Sequence, residues 1–235
     1  MSYYGFSEYV PVAKRKENAK KLIKKLEKKG QKFNPISIEG RVIAKSFWGK
    51  GWCAHLETMN DFESRLPKGR TYARNGSVID LNIKPGLISA TVSGSEIYKI
   101  QVKIKTMDQQ AYKKIITKCR GEISSLIDLL SGKFSKGIMT IVADEKIGLF
   151  PKKSEISFDC DCYDYADMCK HVAAVLYGVG HRLDHHPEEL FLLRGVDHTD
   201  LIHADSKLDL NAKDHNEEIQ EDLGNLFDID IADSV

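Results

Sequence analysis

The chain has 235 residues, of which 42% are hydrophobic, so it can bury a core as one large domain or two small ones. No stretch approaches 18 consecutive apolar residues, and the first residues are aromatic and polar. That argues against a membrane-spanning helix or a leader and predicts a soluble, cytoplasmic chain with no membrane partner.

The formal net charge of +1 hides an asymmetry. Residues 1–50 hold 13 Lys or Arg against 4 Asp or Glu, a balance of +9; residues 205–235 hold 2 against 10, a balance of −8. Basic head and acidic tail suit different partners, or screen one another, or are plain solvated ends.

Residues 1–12 carry Tyr3, Tyr4, Phe6 and Tyr9 and read as an arm that docks on the body. Lys14 to Lys29 reads as a helix, with Ala19, Leu22, Ile23 and Leu26 at helical spacing and Gly30 as its stop. Its outer face is nearly all lysine, which suits either plain solvation or contact with phosphates. Pro35 opens an expected strand over residues 36–45. A helix follows from Phe47, where Trp48, Trp52, Leu56 and Met59 form one apolar face. Gly49 and Gly51 either permit close backbone approach or delay the helix start. Cys53-Ala-His55 has a C-x-H spacing with no cysteine pair to complete it, and reads as coincidence.

Residues 69–105 read as an antiparallel β-meander with one solvated face. Its first segment joins Arg70 and Arg74 to an Asn75-Gly76 turn. Ile79, Leu81 and Ile83 then alternate with polar residues, Pro85-Gly86 suits a type II turn, and Ile88, Ala90 and Val92 alternate again. In the third strand Ile100, Val102 and Ile104 oppose Lys99, Gln101, Lys103 and Lys105. Arg70, Arg74, Lys99, Lys103 and Lys105 are the candidate phosphate-backbone contacts. Lysines that guard a sheet edge explain the strand equally well, but not the two arginines. Residues 108–130 read as helix broken near Gly121, and residues 135–147 as another. Leu149-Phe-Pro151 leads out of it.

The densest chemistry lies in Phe158-Asp-Cys-Asp-Cys-Tyr-Asp-Tyr-Ala-Asp-Met-Cys-Lys-His171. Residues 154–160 read as a short strand, in which side chains two apart point the same way, so Cys160 and Cys162 can face one ion. Cys169 and His171 stand at the start of the apolar run Val172-Ala-Ala-Val-Leu-Tyr177, a helix N-terminus that favours thiolate. Three soft thiolates and an imidazole are the ligand set of a closed, structural zinc site, with a net charge of about −1 that Lys170 can offset. Chance clustering of buried thiols is the plain alternative. A catalytic zinc would keep an open position, and no glutamate follows the histidine as H-x-E. Cys53 and Cys119 read as core residues in a reducing compartment. His181, His185 and His186 read as surface residues near the metal, although extra ligands or titrating groups share that pattern. Pro187 to Leu193 is a short helix closed by Arg194-Gly195. From Asp205 the composition predicts disorder, with Leu223 to Ile231 an apolar-acidic segment able to dock.

The C-x-C, C-x-H pattern followed by Val172-Ala-Ala-Val-Leu resembles the SWIM zinc finger. Phe47-Trp-Gly-Lys-Gly-Trp52, Arg65 to Arg74, Ser93-Gly-Ser95 with Tyr98, Gly148-Leu-Phe-Pro151 and Leu190 to Gly195 resemble the body of a prokaryotic SWIM zinc finger family. The resemblance covers most of residues 1–203. It implies zinc at Cys160, Cys162, Cys169 and His171. It also implies DNA binding or protein–protein contact, in the company of helicase-like ATPases of the Swi/Snf type. Many members carry Cys-Pro-Asp-Trp where this chain has Cys162-Tyr-Asp-Tyr165.

The expected fold is α+β: an N-terminal region over 1–106 with the basic helix and β-meander, a helical connector over 107–150, the zinc finger and its following helices over 151–204, and the acidic tail over 205–235. The leading expectation is a zinc-dependent DNA-binding accessory. The alternative is a protein–protein adaptor with a purely structural zinc. No nucleophile elbow, phosphate-cradling glycine loop or H-E-x-x-H stands in the sequence, so no enzyme and no small-molecule substrate are expected.

Overall fold

The computed structural model describes residues 11–202, apart from residues 29, 31, 60–63, 122, 124, 145 and 165. The expected aromatic arm, save its last two residues, and the acidic tail lie outside the described residues. The elements run α1 (Val12–Glu27), α2 (Phe47–Glu57), α3 (Leu66–Arg74), β1 (Val78–Lys84), β2 (Leu87–Ser93), β3 (Ile97–Ile104), α4 (Gln109–Lys118), α5 (Leu126–Ser131), α6 (Lys136–Val142), β4 (Ile156–Cys160), α7 (Lys170–Leu183) and α8 (Glu188–Arg194). The fold is α+β, built on a four-stranded antiparallel sheet in the order β1-β2-β3-β4.

The alternation along the strands decides which face is dry. Val78, Leu81, Ile88, Ala90, Val92, Ile100, Val102 and Ile104 are all buried and belong to one continuous core. A bulge between Val78 and Asp80 rephases β1. Ile79 is therefore buried outside that core, and does not share a face with Leu81 as the simple alternation predicts. α7 lies on the core face, and every residue from His171 to Gly180 is buried. Its apolar residues do not alternate in stripes because α2, α3 and the sheet surround it. The meander's other face is only partly solvated: α1 lies against the inner strand β2, with Ala19 buried and outside the core cluster.

Three segments depart from the sequence reading. Residues 36–45 are not a strand. Ile36 N–H donates to Val78 O and Leu81 N–H to Asn34 O, and the chain then turns away at Gly40 with φ 78°. Residues 69–74 are not the first strand of the meander but part of α3. Pro67 fits its first turn, where a missing N–H costs nothing, and Asn75-Gly76 is the helix stop rather than a hairpin turn. α7 runs through Gly178 and Gly180 instead of ending there, while α6 ends at Val142 and not at 147.

Those helical glycines exist for proximity. A Cβ on Gly180 would lie 2.4 Å from Cys53 Sγ, and one on Gly49 would lie 2.5 Å from Gly180 O. The α2–α7 crossing is thus a backbone contact. Its end is fixed by Asp184, whose carboxylate accepts from Lys45 N (2.7 Å), Ser46 N (2.9 Å) and Ser46 Oγ (2.7 Å). Trp48 and Trp52, both buried, donate their indole N–H groups to Leu129 O and Leu176 O, each at 2.9 Å. On α3, a Cβ at Gly69 would lie 2.3 Å from Ala173 Cβ and 2.9 Å from Ala174 N. Gly69→Ala is expected to cost about 1–3 kcal/mol by overpacking, read as a lower urea midpoint at unchanged slope. No helix among the described residues is long and apolar enough to cross a membrane.

Candidate metal centre

β4 ends on Cys160, the first of the cluster, and β3 holds it in register, with Ile104 opposite Ile156 and Ile100 opposite Cys160. Pairing continues one residue further: Asp161 N–H donates to Lys99 O at 3.4 Å, and the Asp161 carboxylate accepts from Lys99 N at 3.1 Å. Cys160 and Cys162 therefore leave the strand on one side. The return loop is anchored by Asp164, which accepts from Arg65 Nη2 at 3.0 Å and from Ala166 N at 3.2 Å. Met168 is buried at the loop's end. Cys169 then caps α7 with an extended backbone, and its sulfur accepts from Val172 N at 3.4 Å. His171 follows in the first turn, 2% exposed.

This brings Cys160, Cys162, Cys169 and His171 together, with one ligand atom from each lying within 4.8 Å of the others. His171 Nδ1 stands 3.9 Å from both Cys160 Sγ and Cys169 Sγ. Bond lengths of about 2.3 Å to sulfur and 2.0 Å to nitrogen imply S···S and S···N edges of roughly 3.5–3.8 Å around tetrahedral zinc. The donor set and its spacing fit such an ion. The electrostatics agree. The Cys160 thiol donates to Cys169, and His171 and the Val172 N–H also face that sulfur; together they hold the Cys169 thiol down at about 4. The same shared proton, with burial, pushes Cys160 up, and burial pushes Cys162 up. A cation among the sulfurs would replace the protons they share.

Aromatic rings close the centre. Tyr98 stacks on the His171 imidazole with centroids 4.0 Å apart and planes 19° from parallel, and Tyr72 meets it edge-on at 5.5 Å. Lys170 Nζ sits 5.8 Å from the centre of the Tyr72 ring. The spacing of Cys and His carries no signal for Tyr72, Tyr98, Arg65 or Gly94. They stand in segments singled out by resemblance, and the structure supplies the reason: α3 and the β2–β3 turn converge on the metal cluster.

The five basic candidates do not form one patch. Arg70 is half-buried. It pairs with Glu57, donates to Tyr177 Oη at 3.2 Å and lies 5.3 Å from the Tyr177 ring centre. Tyr177 in turn donates to Glu57 at 2.8 Å, so Arg70 ties α2, α3 and α7 together. Arg74 is exposed on the last turn of α3. Burial first, then the charges of Arg70 and Arg41, lower its pKa. Lys99 and Lys103 are exposed on the sheet face opposite the core, and Lys105 is exposed just beyond β3. α3 packs on the core side, so its arginines and the β3 lysines lie on opposite sides of the sheet.

His55, His181, His185, His186 and Cys53 have structural partners. His55 Nε2 lies 2.8 Å from Pro151 O and its ring stacks on Phe150. His181 Nδ1 lies 2.9 Å from Ile43 O and its ring meets His185 edge-on, while His186 lies 3.2 Å from Glu188. Cys53 is packed against Gly180, and burial pushes its thiol up.

Fold and centre together define an α+β protein whose central helix starts at a Cys3His cluster that could hold a metal ion. No family model and no solved structure matches the chain. It is 33% identical over 209 residues, covering 83% of its own length and 75% of the relative's, to the uncharacterized protein Rv2102 of Mycobacterium tuberculosis. The chain belongs to the same family as that protein.

Proposed function

We propose that this is a SWIM-type zinc protein whose zinc is structural, and that it binds DNA in the cytoplasm as an accessory to a helicase-like ATPase of the Swi/Snf type. The observation that carries the reading is the converging Cys3His cluster, with C-x-C leaving a strand and C-x-H opening a buried helix. Four protein ligands leave no open position, so the reading assigns the metal no reaction and the chain no enzymatic role. The ligands would be Cys160 Sγ, Cys162 Sγ, Cys169 Sγ and His171 Nδ1.

The DNA contact is assigned to basic side chains outside the finger. Asp159, Asp161 and Asp167 are exposed around the finger loop, a surface that repels phosphates. α1 exposes Lys14, Lys16, Lys20, Lys21, Lys24 and Lys25, and it lies on the same side of the sheet as Lys99 and Lys103. That side of the sheet favours the lysines of α1 and β3 over the arginines of α3 as the phosphate contacts. Zinc-loaded protein should bind duplex or single-stranded DNA with an affinity that falls linearly in log salt. Replacing Lys99 and Lys103 together by glutamine should reduce the slope by about 2. Absence of salt-sensitive binding to any nucleic acid would end the DNA assignment.

A second reading, a protein–protein adaptor, is favoured by Tyr163. It is 88% exposed on the loop between two metal ligands. An aromatic ring among exposed aspartates suits a basic protein surface. A partner that loses affinity with Tyr163→Ala, while DNA binding is nil, would establish this reading instead.

A further inference from the structure

We propose that Tyr98, in the space that Gly94 leaves open, is the positioning residue that presents His171 Nδ1 to the thiols. The inference rests on the metal reading above and names what orients the one ligand that can turn. Imidazole offers two nitrogens, and a half-turn of the ring would exchange them. Ligating histidines are commonly held by a hydrogen bond from the second ring nitrogen to a carbonyl or carboxylate. His171 Nε2 is buried and finds no protein acceptor among the described residues. Apart from the Nδ1 contacts to the thiols, the ring is held by packing.

The packing is specific. Tyr98 is the second residue of β3, opposite Val92, on the face that meets α7. Its near-parallel stack at 4.0 Å occupies one face of the imidazole, and Tyr72, inclined at 68°, blocks another direction. The Tyr98 hydroxyl lies 2.8 Å from Ser95 Oγ, which fixes the tyrosine in turn. A Cβ on Gly94 would lie 2.8 Å from the Tyr98 ring and 3.2 Å from His171 Nε2. A side chain at position 94 would therefore push on both rings at once. Tyr98 is not one of the four ligands and acts on the metal through His171.

The test compares zinc-loaded wild type, Tyr98→Phe and Tyr98→Leu as full-length chains. Zinc transfer to a chromophoric chelator should be about 10–100-fold faster in Tyr98→Leu and change far less in Tyr98→Phe, which loses the bond to Ser95 but keeps the stacked ring. The ligand-field absorption of the cobalt-substituted Tyr98→Leu chain should shift, which a general loss of stability would not cause. Equal transfer rates and equal cobalt spectra for all three chains would overturn the proposal. Should Tyr98→Leu fail to fold, nitrogen NMR of wild-type His171 decides: metal on Nδ1 with a protonated Nε2 supports it, and metal on Nε2 overturns it. A wild-type chain that takes up neither zinc nor cobalt would sink the metal reading itself, a result separate from failure of the tyrosine's role.

Discussion

Cys169→Ser is expected to abolish stoichiometric zinc and to destabilise the whole described fold, not the finger alone. Structural zinc contributes on the order of 10 kcal/mol to the unit that folds around it, comparable to the full stability of an ordinary domain at about 5–15 kcal/mol. The reach of that loss follows from where the ligands stand. Cys160 is the last residue of a strand paired to β3, and Cys169 caps α7, whose residues from His171 to Gly180 are all buried. The sheet, α2 and α3 all pack against that helix. Chelation should therefore remove tertiary near-ultraviolet signal from Trp48 and Trp52, which lie on α2, in the same transition that removes the metal. Cys119→Ser is the control: Cys119 is fully buried but stands outside the cluster, so its cost should be that of one polar atom in the core, about 1–3 kcal/mol, with zinc content unchanged. Zinc loss from Cys169→Ser with an intact tryptophan environment and an unchanged melt would confine the metal's influence to the loop.

The sequence shows the Cys3His set because a site that could hold a metal is written in residue types and local spacing, and both survive in one dimension. It shows the core strands for a similar reason: Ile88-Ser-Ala90-Thr-Val92 and Ile100-Gln-Val102-Lys-Ile104 alternate without interruption and pair as expected. What it hides is non-local. Gly69-Arg-Thr-Tyr-Ala-Arg74 has the residues of an extended turn, yet is helical because Gly69 lets α3 settle on Ala173, over a hundred residues away. Gly178 and Gly180 read as stops, yet lie inside a helix, and at Gly180 the neighbouring Cys53 leaves no room for a Cβ. The bulge that turns Ile79 out of the core leaves no mark in the alternation. Arg70 looks like a free cation until Glu57 and Tyr177, distant in sequence, are brought to it. Tyr98 stands among the residues that carry the resemblance, but nothing near it in the chain points to its stack on His171.

Arg194→Leu is expected to cost about 3–5 kcal/mol, the second large effect, from a residue that sequence reading treats only as the end of a helix. Its side chain is 3% exposed. Nη1 donates to Lys105 O at 2.6 Å, and Nη2 lies 3.1 Å from a Glu155 carboxylate oxygen. The backbone of the same residue accepts from Met107 N at 2.7 Å, while Lys105 N donates to Glu155 O at 2.8 Å. Arg194 thus joins three segments at the end of the sheet away from the metal: α8, the exit of β3 and the turn into β4. Removing the guanidinium leaves the largely buried Glu155 carboxylate with the Lys152 N–H but without its counter-charge, and that penalty exceeds the value of the pair itself. The double variant Arg194→Leu with Glu155→Leu should therefore be more stable than Arg194→Leu alone, because no charge is left behind. Urea melts of the two single variants and the double form the cycle. Strict additivity would mean that the buried arginine matters for its packing and not for its charge.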